Sequence, residues 1–177
     1  MHYATIKNCD IANGEGVRIS LFVSGCTHRC PGCFNEVAWD FSYGEPFTEE
    51  TAEYLFSLTN HPYIAGLSLL GGEPFEPENQ RALLPFLLEF RRRFPEKTVW
   101  CYTGYIYEEL CTSSRARCEV TDEMLACIDV LVDGPFVEAK KNLRLRFRGS
   151  SNQRVIDLVT SRKAGETVIW EKLGDAR

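Results

Sequence analysis

The hydrophobic residues of this chain form short apolar runs that alternate with stretches of helical periodicity. Each run is rich in β-branched or aromatic residues and is followed closely by a turn-forming glycine, which is typical of a buried strand. Four strands are predicted in this way, at residues 18–24, 64–70, 98–102 and 128–132. Two weaker apolar stretches, at residues 143–147 and 167–170, are predicted to be edge strands.

Helices are predicted between these strands. Thr48 is a candidate N-cap for a helix that extends to about residue 58, with Thr51 in the position that Glu or Gln takes in a full capping box. Pro77 can begin a second helix that extends to residue 94, and a short third helix covers residues 121–127. Because strands alternate with helices, the sequence favours an α/β fold with a parallel sheet, whose ligands bind where the strands end.

Composition narrows the class of protein. The 177 residues suffice for about one domain, and 44% hydrophobic with 25% charged residues is an ordinary globular balance. The net charge of −5 argues against a general nucleic-acid-binding protein. Neither a secretory signal nor an apolar run of membrane-spanning length is recognisable. We therefore expect a cytoplasmic protein that does not associate with membranes.

Positive charge is concentrated in two clusters in the second half of the chain. One is the arginine triplet at residues 91–93, and the other spans residues 140–148. A solvated helix end and an amphipathic edge strand are the favoured explanations. A docking face for an acidic partner or for phosphates is the alternative.

Three of the eight cysteines form a compact motif. Cys26, Cys30 and Cys33 follow the first predicted strand in a polar, glycine-rich loop, and thiolates are soft ligands suited to zinc or iron–sulfur centres. A structural zinc site would need a fourth ligand, such as His28 or Cys9, whereas a 4Fe-4S cluster held by three cysteines has one open iron. Disulfides are disfavoured in a reducing compartment. For His28 itself, a hydrogen bond to the backbone is favoured over a role at the cluster.

The motifs resemble those of the radical S-adenosylmethionine superfamily, in which C-x3-C-x2-C follows the first strand and a Gly-Gly-Glu-Pro segment, here Gly71 to Pro74, follows the second. More narrowly, four segments are similar to the family of glycyl-radical activases that act on anaerobic ribonucleoside-triphosphate reductase. These segments are SGCTHRCPGCFN at residues 24–35, VWCYTGY at 99–105, VDGPF at 132–136 and RGSSNQR at 148–154.

The resemblance implies an activity, its cofactors and its partners. Cys26, Cys30 and Cys33 would hold a 4Fe-4S cluster whose open iron binds S-adenosylmethionine. One-electron reduction of the cluster would cleave S-adenosylmethionine to methionine and a 5′-deoxyadenosyl radical, which would take a hydrogen atom from a glycine loop of the reductase large subunit. Because this cleavage needs a strongly reducing cluster, a low-potential electron donor such as flavodoxin is implied.

The resemblance also implies which residues contact S-adenosylmethionine. The backbone around Gly32 and Phe34 is expected to contact the adenine, since many superfamily members have an aromatic residue where this chain has Gly32. Carbonyls near Gly71 and Gly72 would accept hydrogen bonds from the methionyl ammonium group, reinforced by Glu73. Thr103 and Asp133 would contact the ribose or methionine, or bind a cation, or serve only as turn formers. The full set is Gly32, Cys33, Phe34, Gly71, Gly72, Glu73, Pro74, Thr103 and Asp133.

Chain length bears on the expected architecture. A closed eight-stranded β/α barrel typically needs about 250 residues, so we expect an incomplete, open β/α barrel with a mostly parallel sheet. The expected domain is a single one over residues 1–177, with a core at about 13–154 and a C-terminal extension at 155–177. The alternatives are an activase of another glycyl-radical enzyme, a radical enzyme acting on a small molecule, and a non-catalytic zinc-binding interaction module.

Overall fold

The computed structural model describes residues 1–171, and its central feature is a seven-stranded sheet in the order β3-β1-β2-β4-β5-β6-β7. The strands are β1 (His2–Asp10), β2 (Val17–Val23), β3 (Glu45–Pro46), β4 (Ile64–Gly71), β5 (Thr98–Tyr102), β6 (Val130–Asp133) and β7 (Arg154–Asp157). The four strands predicted from apolar runs are confirmed as β2, β4, β5 and β6. They are also the strands buried most deeply.

In residues 1–171, five α-helices pack against one face of the sheet. They are α1 (Glu49–Thr59), α2 (Pro77–Arg93), α3 (Tyr107–Thr112), α4 (Thr121–Ala126) and α5 (Leu158–Ala164). The predicted start of α1 is confirmed, since the Thr51 amide donates to Thr48 Oγ1 at 3.3 Å and the Thr48 amide donates back to Thr51 Oγ1. Each helix contributes buried side chains to the core beneath it, so packing on the sheet stabilises even the short ones.

The sheet is mixed, and the expectation of a mostly parallel sheet is wrong. β2, β4, β5 and β6 run parallel, but β1 pairs antiparallel with both β2 and β3, and β7 pairs antiparallel with β6. The physical reason lies at the two flanks. The chain before β2 forms a hairpin with it, and the chain after β6 returns along the same edge without a crossover helix. An open barrel is not confirmed; the strands form one sheet that ends at β3 and β7.

The two predicted edge strands are also corrected. Residues 143–147 form turns and bends instead of a strand, flanked by an isolated bridge between Lys141 and Ser150, and Phe147 has a φ of 60°. Ile169 makes an isolated bridge to Ile156, which lies in β7. Of the expected C-terminal extension at 155–177, residues 155–157 therefore belong to β7, and residues 172–177 lie outside the described part of the chain. No helix in the described part is long and apolar enough to cross a membrane.

The face of the sheet opposite the helices has a different chemistry. It carries a small aromatic group in which Trp100 contacts Phe147 and Trp170 edge to face, at centroid distances of 5.1 Å each. Beside it lies Arg18, only 1% exposed, whose guanidinium is 5.6 Å from the Trp100 ring. This face leads to a cavity at the carboxyl ends of the parallel strands.

Candidate active site at the carboxyl ends of the parallel strands

A cavity of about 430 Å³ opens where β2, β4, β5 and β6 end. It gathers most of the residues singled out from the sequence, although they come from three different segments, which lie at the ends of β2, β4 and β5. Those that line it are Cys26, Cys30, Gly32, Cys33, Phe34, Gly71, Gly72, Glu73 and Thr103. The sequence argument that strand ends converge is thus supported by their placement. Among the described residues, Pro74 and Asp133 are not part of the lining.

The start of the cysteine loop is held by two backbone hydrogen bonds to residues 38 and 39. Gly25 donates its amide to Ala38 O at 2.8 Å and Cys26 donates to Trp39 O at 3.3 Å. All three thiols are free and half-buried. Burial raises the pKa of Cys26 to about 11, with the negative charges of Glu73 and Glu76 adding to it, and burial also raises the pKa of Cys30. Within residues 1–171, no three histidine, cysteine or carboxylate side chains gather closely enough to hold a single metal ion.

Glu73 is a tightly held polar residue of the cavity. Its carboxylate is 1% exposed, and Oε1 accepts the Phe75 amide at 2.9 Å while Oε2 accepts the Gly104 amide at 2.8 Å. The same Oε2 lies 3.0 Å from His28 Nε2. His28 therefore contacts a carboxylate, and the favoured prediction of a backbone partner is wrong. The imidazole also packs on the Tyr105 ring at a centroid distance of 4.4 Å.

Two glycines allow these loops to approach each other. A Cβ on Gly72 would lie 2.6 Å from the carbonyl oxygen of Gly25, and a Cβ on Gly104 would lie 2.7 Å from His28 Nε2. Contacts this short do not occur in folded proteins, so a side chain at either position would displace the cysteine loop. Gly72 and Gly104 thus permit the cysteine loop to dock on the ends of β4 and β5.

The ends of β5 and β6 differ in what they present to the cavity. Thr103 lines it, and its Oγ1 accepts the Tyr105 amide at 3.1 Å. Asp133 is fully buried; its carboxylate accepts hydrogen bonds from the Arg154 guanidinium and from the Tyr107 amide, the latter at 2.8 Å. These partners connect β6 to β7 and α3. The Asp133 side chain therefore holds these elements together. Gly134, its neighbour, lines the cavity.

One wall of the cavity is the segment wrongly predicted as an edge strand. Leu143, Leu145 and Phe147 all line the cavity, so the alternation of apolar residues in the sequence is real although the segment is a loop. Leu143 is 90% exposed and Phe34, on the facing cysteine loop, is 84% exposed. The rim of the cavity is therefore apolar at two points.

The arginine triplet lies at the opposite end of the sheet. Arg91 donates to the carbonyl oxygens of Lys97 and Cys127 and pairs with Asp129 at 2.6 Å. Arg92 and Arg93 both pair with Glu89 at 2.6 Å. These contacts support a helix end over a docking face, because the charges are paired within the fold and lie away from the cavity. Arg91, however, is half-buried and not fully solvated as predicted.

Glu76 belongs to the site, although none of the sequence motifs identifies it. Glu76, at the N-cap of α2, accepts hydrogen bonds from the backbone and the hydroxyl of Thr27 inside the cysteine loop. The residues around Glu76 in the sequence predict only the start of a helix after a turn, and they do not indicate a contact with the cysteine loop. The available signal is its position three residues after Glu73, which places a second carboxylate in the loop that follows β4.

Comparison with known proteins agrees with this geometry. Residues 12–156 match the family model described as a 4Fe-4S single cluster domain. The chain is 41% identical over 155 residues to the anaerobic ribonucleoside-triphosphate reductase-activating protein of Haemophilus influenzae, which covers 86% of this chain and 96% of that protein. The proteins of the same name from Escherichia coli and Enterobacteria phage T4 are 41% and 40% identical over 157 residues, covering 88% of this chain and 97% and 93% of those proteins.

The chain belongs to this family of reductase-activating proteins. The resemblance inferred from the sequence motifs is thereby confirmed, and so is the 4Fe-4S domain. The segment that matches the family model begins at Ala12, which lines the cavity, and ends at Ile156 in β7. It therefore contains all three cysteines of the loop and the Gly71 to Pro74 segment.

Proposed function

We propose that this protein activates an anaerobic ribonucleoside-triphosphate reductase by generating its glycyl radical, through reductive cleavage of S-adenosylmethionine at a 4Fe-4S cluster. The observation that carries the proposal is the shared cavity: Cys26, Cys30, Cys33 and the Gly71 to Glu73 segment line the same space. The names of the relatives identify the reductase as the partner on which such proteins act.

The donor set fits the cluster. Each cysteine of a 4Fe-4S site binds a different iron, so the thiols must surround the cluster instead of meeting at one point. Cys26, Cys30 and Cys33 all line the cavity, which is compatible with such an arrangement, and the Asn35 amide donates to Cys33 Sγ at 3.4 Å. Hydrogen bonds to the sulfurs are a usual means of tuning such centres. When bound, the cluster supplies the electron that cleaves S-adenosylmethionine.

Residues of the chain would bind and orient S-adenosylmethionine. Glu73 provides a fixed, buried carboxylate suited to the methionyl ammonium group, and the glycines at residues 71 and 72 let the ligand approach the backbone. The backbone of residues 32–34 is proposed to contact the adenine, and Thr103 the ribose or methionine. For Pro74 and Asp133 we propose indirect roles, through Glu73 and Gly134, because their neighbours line the cavity and they do not.

The proposal extends to the partners and the compartment. The exposed Phe34 and Leu143 side chains give the rim an apolar surface that a glycine loop of the reductase large subunit can contact. A low-potential donor such as flavodoxin would supply the electron, while nucleic acid has no part in the reaction. All eight cysteines are free thiols, which supports a reducing, cytoplasmic location.

The proposal is tested with anaerobically reconstituted protein. We expect a brown protein with about four irons per chain, cleavage of S-adenosylmethionine under a strong reductant, and a glycyl-radical signal from the reductase in electron paramagnetic resonance. Cys30→Ala should abolish cleavage because a cluster ligand is lost. Cys9→Ala is the matched control, since Cys9 is an exposed thiol outside the loop.

Other outcomes would identify the alternatives. A colourless protein with one tightly held zinc would indicate an interaction module, and persistent cleavage in Cys30→Ala would refute the assignment of ligands. Cleavage of S-adenosylmethionine with a radical formed only on a different partner would indicate an activase of another glycyl-radical enzyme. Cleavage with no protein radical would indicate a small-molecule substrate.

A further inference from the structure

A second buried carboxylate, that of Glu76, accepts hydrogen bonds from the cysteine loop. The Thr27 amide donates to Glu76 Oε1 at 2.8 Å, and the Thr27 hydroxyl donates to the same oxygen at 2.6 Å. Glu76 is 5% exposed and stands at the N-cap of α2 without capping the helix through its side chain. Its carboxylate is thus committed to the loop between Cys26 and Cys30.

This contact acts directly on the backbone next to a cysteine. The Thr27 amide belongs to the peptide group that joins Cys26 to Thr27, so the hydrogen bond to Glu76 fixes the orientation of that peptide plane. The next residue, His28, contacts Glu73 at 3.0 Å. Two consecutive residues of the loop are therefore held by two carboxylates of one segment, which continues into the well-packed helix α2.

The charge of Glu76 also reaches the site. Glu76 Oε1 accepts the amide of Thr27, the residue next to Cys26, and the side chain is 5% exposed. Glu76 also adds to the rise in the pKa of Arg115, whose main cause is a hydrogen bond to Tyr105. A negative charge in a poorly solvated position repels an added electron. The potential of an iron–sulfur cluster falls accordingly when anionic charge lies near it.

We propose that Glu76 is a positioning residue for the cluster: through Thr27 it holds the loop between Cys26 and Cys30, and by its negative charge it lowers the reduction potential of the bound cluster. The inference rests on the proposed function, because it concerns the cluster that the three cysteines hold. It differs from the ligand contacts proposed above, since Glu76 acts through Thr27 and not on S-adenosylmethionine.

The charge is tested by Glu76→Gln, which keeps an oxygen acceptor for Thr27 and removes the charge. The probe is the reconstituted 4Fe-4S protein, titrated with a reductant and followed by electron paramagnetic resonance. We expect the midpoint potential to shift to a higher value than in the wild type. The matched control is Glu78→Gln, two residues further along the same helix turn, where the side chain is exposed and solvent screens its charge.

The hold on the loop is tested by Thr27→Val, which removes the hydroxyl and keeps the size of the side chain, against Thr27→Ser, which keeps the hydroxyl. The measurement is the rate at which the reconstituted protein loses iron to a chelator. We expect several-fold faster loss for Thr27→Val and a rate close to wild type for Thr27→Ser. Thermal unfolding of each variant shows whether the chain is still folded.

Specific results would overturn the inference. An unchanged potential in Glu76→Gln, or an equal shift in Glu78→Gln, would exclude the electrostatic role. Equal iron loss from the Thr27→Val and Thr27→Ser proteins would exclude positioning through the Thr27 hydroxyl. If the wild-type protein itself takes up no iron–sulfur cluster, the proposed function fails instead, so the two failures are distinguishable.

Discussion

The two ends of the parallel strands use buried charge in opposite ways. At the carboxyl ends, acidic side chains accept hydrogen bonds from backbone amides, whereas at the amino ends basic side chains donate to backbone carbonyls. The acidic residues are Glu73, Glu76 and Asp133, and the basic ones are Arg18, Arg91 and Lys97.

Helix direction explains part of this sorting. A helix that follows a parallel strand begins near the carboxyl ends of the strands and finishes near their amino ends, so it presents free amides to one end and free carbonyls to the other. Asp133 accepts the amide of Tyr107, the first residue of α3. Arg91 donates to the carbonyl of Cys127, the C-cap of α4. These two charges each meet a helix end of opposite polarity, whereas Arg18 donates to carbonyls of β4 and β5.

The difference between the ends lies in what the charges hold. At the amino ends they tie neighbouring strands and helices to each other, which stabilises the fold. At the carboxyl ends, Glu73 and Glu76 hold a loop that carries thiols beside a cavity. Changes at the amino ends should thus lower stability, while changes at the carboxyl ends should alter cofactor and ligand binding.

The largest expected effect on stability is at Arg18. Its guanidinium donates to the carbonyl oxygens of Leu67 and Thr98, both at 2.7 Å, and to Ser68 Oγ at 2.8 Å. Burial lowers its pKa to about 10, so it stays protonated at neutral pH. Arg18→Met leaves these acceptors without their donor, and we expect unfolding to become easier by about 2–4 kcal/mol. Urea denaturation measures this loss.

The control for this prediction is Arg92→Met. Arg92 is 71% exposed and pairs with Glu89 on the same helix, so no measurable change in stability is expected. The iron content of folded Arg18→Met protein should match the wild type. A folded variant that cannot hold iron would show that the amino ends also shape the site, and the contrast between the two ends would fail.

A smaller effect on stability, with a larger effect on the site, is expected for Gly104→Ala. The new Cβ would collide with the His28 ring, which is confined between Tyr105 and Glu73. We expect a loss of about 1–3 kcal/mol in stability and weaker binding of S-adenosylmethionine, because Glu73 loses a partner. Calorimetric titration of the reconstituted protein measures the binding.

A double variant separates the collision from other causes. In a His28→Ala background the ring is gone, so Gly104→Ala should cost much less stability than it does in the wild type. Equal costs in both backgrounds would mean that the backbone of Gly104, and not its approach to His28, sets the requirement for glycine.

The parts of the fold that the sequence predicts well are those with strong local signals. The four buried strands and α2 have continuous or periodic apolar patterns, and Thr48 and Thr51 form the expected cap. β1 has mostly half-buried or exposed residues, so its pattern does not stand out. The loop at residues 143–147 alternates as a strand does, but its alternate side chains face a cavity instead of a second layer.

The candidate site also has a part that local sequence signals predict and a part that they do not. Spacing and glycines identify Cys26, Cys30, Cys33 and Glu73 because these residues lie close together in sequence within recognisable motifs. The contacts between loops could not be predicted, since Thr27 with Glu76 and His28 with Glu73 are each more than forty residues apart. Which carboxylate meets which loop residue depends on how the strands align, and local patterns do not encode that alignment.

The smallest expected effect is a dependence on pH at the carboxyl ends, where Arg154 joins Glu108 to Asp133. Hydrogen bonds from Arg154 at 2.7 and 3.0 Å lower the pKa of Glu108 from 4.5 to about 2. Since the pKa is lower in the folded protein, ionised Glu108 stabilises it above pH 4.5, and this contribution is lost as the pH falls towards about 2. The effect is small because Glu108 is half-exposed.

Glu108→Gln removes this contribution. The variant should be slightly less stable than the wild type above pH 4.5, and the difference should shrink as the pH falls, because protonated Glu108 resembles glutamine. Urea midpoints of the iron-free chains across the acidic range measure this, with the exposed neighbour variant Glu109→Gln as the control. A difference that stays constant with pH would show that the charge of Glu108 is not what stabilises this contact, and Arg154 would then depend on the buried Asp133 alone.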